Sequence, residues 1–220
     1  QNYILKHVHD RRENPKDDVI SHLTQGVFGD ERPLTDSEIV RIIDHLYIGG
    51  NETTTFALTS GLWILLREDG LYEKILNNRD LVQPFIEEVL RLESPTQGLY
   101  RETTQDEEFH GVSIPKGSVI HIRYAAANRD ERMFDNPDDV DLERKNLKRH
   151  MAFSLGEHHC PGSGLSRTEQ HIALNVVLDR LPNLALCEEK NDYKHMPGLV
   201  LRSLNKLHVT FDPTEPLKAK

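Results

Sequence analysis

Residues 153–162 read Phe153-Ser154-Leu155-Gly156-Glu157-His158-His159-Cys160-Pro161-Gly162, surrounding one cysteine with residue types that suit a thiolate bound to iron. A thiolate pushes electron density onto a haem iron and favours O–O cleavage, and the loop around it controls solvent access and hydrogen bonding to sulfur. Gly156 allows a tight turn and Gly162 a close approach to a flat macrocycle, because neither carries a Cβ. Pro161 suits a helix start, and residues 162–181 read as that helix, with free backbone N–H groups at its N-terminus available to a negatively charged sulfur. His158, two residues before the cysteine, is placed to meet a haem carboxylate.

The elements that must position this loop are legible upstream. Thr35 and Glu38 form a capping box, and Ile39, Ile42, Ile43, Leu46 and Tyr47 recur behind it at helical spacing. With no proline before Leu66, one helix over 36–67 is expected, spanning about 48 Å. Its middle reads Gly49-Gly50-Asn51-Glu52-Thr53-Thr54-Thr55, a local weakness in which each glycine costs roughly 1 kcal/mol relative to alanine. Either this is a functional site, or a kinked buried helix whose threonines bond back to carbonyls one turn earlier. A second amphipathic stretch, from about Leu81 to Leu92, carries Glu88 and Arg91 on one face at i,i+3. Residues 99–122 change to short β-rich runs broken by His110-Gly111 and by Pro115-Lys116-Gly117, as small hairpins require. The polar stretch 136–151 is a long loop of the kind that is unusual unless functional.

The cysteine loop resembles that of the haem-thiolate monooxygenases, cytochrome P-450, whose pattern F-x-x-G-x-[H/R]-x-C-x-G is filled at every fixed position and continued by Leu165-Ser166-Arg167. The resemblance extends to the central helix motif [A/G]-G-x-[D/E]-T, matched by Gly49, Gly50, Glu52 and Thr53. It implies a mainly α fold with small β-sheets, the C-terminal portion of the cytochrome P-450 fold, binding haem b (iron protoporphyrin IX) through Cys160. Phe153, Gly156 and Gly162 then shape the cofactor loop. Arg101 and His158 meet haem propionates, Gly49 and Gly50 leave room for dioxygen, and Glu52 and Thr53 relay protons. Glu88 and Arg91, with Arg144, form a structural network. The implied substrate is a hydrophobic small molecule, with pocket positions at Leu46, Tyr47, Thr96, Gln97, Gly98, Leu99, Met196 and Leu199. Electrons come from an external NAD(P)H-dependent redox partner, a ferredoxin-type donor. Ala127-Asn128-Arg129-Asp130 resembles the soluble bacterial branch.

Composition agrees with a soluble, cytoplasmic protein. The 220 residues suffice for one core, mean hydropathy is −0.57, and 29% of residues are charged. No apolar stretch is long enough to span a bilayer, and a net charge of −9 argues against nucleic acid. Locally, Arg144, Lys145, Lys148, Arg149 and Arg167 flank the cysteine loop, as either a docking face for an acidic electron donor or a solvated charge run. Cys187 is expected in core or strand. Asp17 to Val27 reads as a short helix; residues 1–14 are strongly charged. Because family members are about twice this long, residues 1–220 are expected to be the C-terminal haem-binding part of one domain without its N-terminal half, binding haem weakly and prone to self-association. Rival readings are an inactive fragment, a haem-thiolate isomerase or peroxygenase, a cysteine hydrolase, and a metal module using His150, His158, His159 and Cys160.

Overall fold

The computed structural model describes residues 1–29 and 32–213, leaving aside the side chain of Phe28. The chain forms two compact units, Gln1–Glu52 and Thr53–Lys220. In the first, α1 (Asn2–Glu13) and α2 (Val19–Gln25) precede a two-residue antiparallel pair, β1 (Val27–Phe28) and β2 (Arg32–Pro33). The charged segment 1–14, for which no helix is expected from pattern, is helical because Val8, fully buried, packs with Ile39 and Val40. Arg11 and Arg12 in its last turn complement the helix dipole. α2 starts where Asp18 accepts the Ser21 N–H at 2.8 Å.

α3 (Asp36–Arg67) contributes its first part to this unit and residues 53–67 to the second. The capping box is formed: the Thr35 N–H donates to Glu38 at 2.8 Å and the Glu38 N–H to Thr35 Oγ1 at 3.3 Å. Arg32 grips the same carboxylate through two bonds of 2.7 and 2.8 Å, which hold Glu38 well below the usual carboxylate range. All 32 residues are helical, so the glycine pair does not break the helix. The apolar stripe behaves differently from the sequence expectation: Ile39 is buried, but Leu46, Tyr47 and Ile48 are exposed.

In the second unit, the later part of α3 packs with α5 (Val82–Glu93) and α7 (Ser163–Arg180) around Ala57, Ile64, Leu65, Phe85, Val89 and Leu174. A Cβ on Gly61 would lie 3.7 Å from Val89, ordinary packing distance between neighbouring helices. α4 (Leu71–Asn77) and a 3₁₀ turn over Arg79–Leu81 connect α3 to α5. Every residue of α5 from Phe85 to Glu93 is buried, which makes it a core helix rather than a surface amphipathic one. Two antiparallel pairs follow. β3 (Leu99–Glu102) lies on β6 (Val119–Ile122), with Leu99 opposite Ile122; β4 (Glu107–Phe109) lies on β5 (Val112–Ile114). His110 and Gly111, with φ of 50° and 78°, make the two-residue turn between β4 and β5. After the short α6 (Tyr124–Ala127) the chain runs irregularly to α7, and β7 (Ala185–Leu186) pairs with β8 (Val209–Thr210) near the end.

Candidate functional site

The irregular segment 128–162 is held from beneath by charges on α5. Glu88, fully buried, accepts two hydrogen bonds from Arg91 at 2.6 and 2.8 Å, one from Arg144 Nε at 3.1 Å and one from the Asp141 N–H at 2.9 Å. The two guanidiniums spend their remaining donors on carbonyls of the same segment. Arg91 donates to Asn128, Pro137 and Asp139; Arg144 donates to Asp135, Asn136 and Asp139. Phe134, 1% exposed, lies under both, 5.3 and 6.0 Å from ring centroid to guanidinium carbon. Glu88, Arg91 and Arg144 are thus brought together, and the carbonyls they take tie the irregular segment to α5.

The adjacent carboxylate, Glu87, holds the cysteine loop. It accepts from Arg167 at 2.7 and 3.0 Å and pairs with His150 Nε2 at 2.8 Å. His150 Nδ1 accepts the Ala152 N–H at 3.2 Å, so the bonding pattern assigns the proton to Nε2. Burial pushes the Glu87 carboxyl up, but hydrogen bonds from His150 and Arg167 outweigh it and hold it at about 2. Above Glu87, the Phe153 ring lies 4.5 Å from the Arg167 guanidinium and 6.1 Å from the His150 ring. The Phe153 carbonyl accepts the Cys160 N–H at 2.9 Å, and Ser154, at φ 60°, takes the Tyr124 hydroxyl at 3.0 Å. Asn128 closes the set: its side chain accepts the Met151 N–H at 2.6 Å and donates to Ser94 Oγ at 2.8 Å.

Cys160 sits half-buried as a free thiol, three residues before α7, whose first turn has no side-chain cap. Its carbonyl accepts the Ser163 N–H at 3.2 Å. Gly156, at φ +70°, occupies backbone space that a side chain rarely enters, which accounts for a glycine there. A Cβ on Gly162 would lie 3.8 Å from Cys160 Sγ, ordinary contact within the chain itself. His158 is exposed at the end of a 3₁₀ turn, and Arg101 on β3 donates to the neighbouring Tyr100 carbonyl at 2.8 Å and to no acid among the described residues. One free thiol and two basic side chains not committed to internal acids fit a cofactor that needs a thiolate ligand and carries two carboxylates.

Several sequence expectations are corrected. Among the described residues no three His, Cys, Asp or Glu side chains are arranged to hold a metal ion, and His150 is spent on Glu87, so the His150, His158, His159 and Cys160 module is not formed. The basic run divides: Arg144 and Arg167 are committed to Glu88 and Glu87, leaving Lys145, Lys148 and Arg149 exposed. The side chain of Gln97 caps α5, donating to the Glu93 and Ser94 carbonyls at 2.8 and 2.7 Å. Leu46 and Tyr47 belong to the first unit and are exposed, as are Gly49, Gly50 and Glu52. Cys187 is half-buried just after β7. Residues 96 and 97 meet the chain just beyond Met196–Leu199: the Gln97 N–H donates to the Val200 carbonyl at 2.7 Å, and Thr96 pairs with Leu201. Sequence reading missed the roles of Glu87 and of Thr54, whose hydroxyl lies 3.4 Å from Ser166 Oγ; it named His150 only as a rival metal ligand and Asn128 only within a branch motif.

The cytochrome P450 family profile matches residues 1–209. This chain belongs to the cytochrome P450 family. It is 36% identical over 96% of its length to the biotin biosynthesis cytochrome P450 of Bacillus subtilis, covering 52% of that protein. It is 35% identical over 94% of its length to a steroid C26-monooxygenase of Mycobacterium tuberculosis, covering 55% of it. Among solved structures, a substrate-free Mycobacterium marinum cytochrome P450 superimposes with a TM-score of 0.93 at 33% identity, over 97% of this chain and 54% of the other. A Bacillus megaterium cytochrome P450 in complex with testosterone gives 0.91 at 31% identity, over 96% and 58%. Cytochrome P450s carry haem ligated by a cysteine thiolate. The mainly helical fold with small sheets is the cytochrome P450 fold, and the chain spans about half the length of the curated relatives it matches. Among the described residues no helix is long and apolar enough to cross a membrane.

Proposed function

We propose that the protein is the haem-binding part of a cytoplasmic cytochrome P450 monooxygenase that inserts one atom of dioxygen into a hydrophobic small molecule. The observation that carries this reading is the Cys160 loop, a free thiol on a residue whose backbone N–H donates to the Phe153 carbonyl just before α7, in a chain of this family. When bound, thiolate-ligated haem b supplies reductive activation of dioxygen, the second oxygen atom leaving as water with two protons and two electrons from an external NAD(P)H-dependent donor.

The residues of the chain supply the rest. Cys160 donates its thiolate; the Glu87, Arg167 and Phe153 stack fixes the loop backbone; Arg101 and His158 bind the two cofactor carboxylates. Gly49 and Gly50 keep a strip of α3 free of side chains, and the Glu52 carboxylate and Thr53 hydroxyl orient water and pass protons. Thr96, Gly98, Leu99, Met196 and Leu199 line the substrate side. Relatives are named for steroid oxidation, and one solved relative is in complex with a fatty-acylated acyl carrier protein; sterol-sized or long-chain acyl substrates suit the same apolar residue types. Lys145, Lys148 and Arg149 present a basic face to an acidic ferredoxin-type donor. Tyr47 and Ile48, 72% and 68% exposed, favour self-association of the isolated chain.

The test is the absorption spectrum of the reduced, haem-supplied protein with carbon monoxide. A strongly red-shifted Soret band that is lost in Cys160→Ser supports the reading; a band unchanged by that substitution overturns it.

A further inference from the structure

α5 ends at Glu93, whose carboxylate is 6% exposed. Beyond it, residues 194–205 fold into a hairpin. His195 bridges to Leu204, the Met196 N–H donates to the Ser203 carbonyl at 2.9 Å, and the Asn205 N–H to the Lys194 carbonyl at 2.9 Å. The returning arm lies along residues 95–97: the Arg202 N–H donates to the Pro95 carbonyl at 2.9 Å, and the Gln97 N–H to Val200 at 2.7 Å. The turn is tight at Gly198, where a Cβ would stand 2.8 Å from the Leu201 carbonyl oxygen. The backbone bonds to residues 95–97 come from the returning arm alone.

One oxygen of Glu93 reaches both arms. Arg202 Nε donates to Oε2 at 3.0 Å, and His195 Nε2, on the opposite arm, lies 3.5 Å from the same oxygen, close enough to pair but too long for a well-formed hydrogen bond. Arg129 stands 3.9 Å from Oε1. His195 also meets Trp63 edge-on at 5.8 Å, and Tyr193 stacks on that indole at 6.1 Å. The sole tryptophan of the chain therefore packs against the first arm.

We propose that Glu93 is a positioning residue that sets the pose of the 194–205 hairpin and, through it, the Met196–Leu199 wall beside Thr96–Leu99. The inference rests on the pocket reading above and adds to it the group that holds that wall in place. A buried carboxylate bonded to Arg202 on the returning arm, with His195 of the other arm 3.5 Å away, resists displacement of the hairpin, because lifting it removes a hydrogen-bonded partner from a nearly buried charge. Neither Glu93 nor Arg202 contacts the cysteine loop in the network described above, so haem ligation is left untouched.

The experiment compares Glu93→Gln, Arg202→Met and Arg202→Lys with the parent chain. The Trp63 emission and its quenching by acrylamide are read first, with far-UV circular dichroism as the check on folding. Glu93→Gln and Arg202→Met are expected to shift the emission to the red and raise the quenching constant about twofold, with Arg202→Lys, which keeps the charge, close to the parent. In haem-loaded protein the same two variants are expected to raise the dissociation constants of testosterone and hexadec-9Z-enoic acid about tenfold, read from the Soret shift, with the carbon monoxide band unmoved. Unchanged Trp63 quenching in both variants overturns the proposal, as does changed quenching with unchanged dissociation constants. A parent chain that forms no thiolate band strikes the monooxygenase reading instead, and the Trp63 comparison still decides the anchor. Should Arg202→Met not fold, the conservative Glu93→Gln variant decides between these outcomes.

Discussion

The α5 and cysteine-loop region and the glycine-containing stretch of α3 both carry chemistry-bearing motifs, yet the chain treats them in opposite ways. In the first, Glu87, Glu88 and Arg91 are buried, and each side chain is fixed by two or more partners from distant segments. In the second, Leu46, Tyr47, Gly49, Gly50 and Glu52 are exposed on a helix held mainly by its own backbone bonds. A cysteine ligand must be held still in a loop, where no repeating backbone pattern does it, so side chains take the task. A helical motif is already positioned by its i→i−4 ladder.

That contrast predicts a ranking of effects. Arg91→Ala strands Glu88 beside one remaining arginine and frees three carbonyls, so a loss of about 3–5 kcal/mol is expected, seen by urea denaturation as a lowered midpoint or an unfolded chain. A midpoint within a few tenths of a molar of the parent would erase the difference between the regions. Arg167→Met should cost less, about 1–3 kcal/mol, because Glu87 keeps His150.

Glu87 also gives the region an acid limit. Its folded-state value, about 2, lies below the ordinary 4.5, so its contribution is fully present above about pH 4.5 and is lost as pH falls toward 2. Glu87→Gln should flatten that part of the stability–pH curve; an unaltered slope would show that the His150 and Arg167 bonds do not hold the carboxylate down. In the α3 stretch the sign reverses. A Cβ on Gly50 meets nothing within 4 Å, so Gly50→Ala should stabilise by about 1 kcal/mol while reducing oxygen-dependent turnover, measured as melting temperature against product formed. Smallest of all, Lys148→Glu should shift stability by less than about 0.5 kcal/mol and act only on donor-dependent reduction.

Legibility followed the range of the forces involved. The 32-residue helix, its capping box, the His110-Gly111 turn and the helix after Cys160 are each set within a few residues, and all appear where pattern places them. Helix α1 was not legible, because a charged, weakly patterned segment becomes helical only when Val8 finds Ile39. The depth of α5 was equally hidden: Glu88 and Arg91 at i,i+3 look the same on a solvated face as in a core. What decides between them is the set of carbonyls between Asn128 and Asp139, 37 to 48 positions from Arg91.

The sequence by itself determined the chemistry. A cysteine in that loop and an acid–threonine pair in a long helix name a haem-thiolate family, because ligand type and backbone freedom are properties of residues and their neighbours. Only the tertiary structure decided which charges are spent. Glu87 on Arg167 and His150, and Glu93 on Arg202 of the C-terminal hairpin, are pairings across 63 to 109 positions of sequence, and no local pattern encodes a partner at that distance.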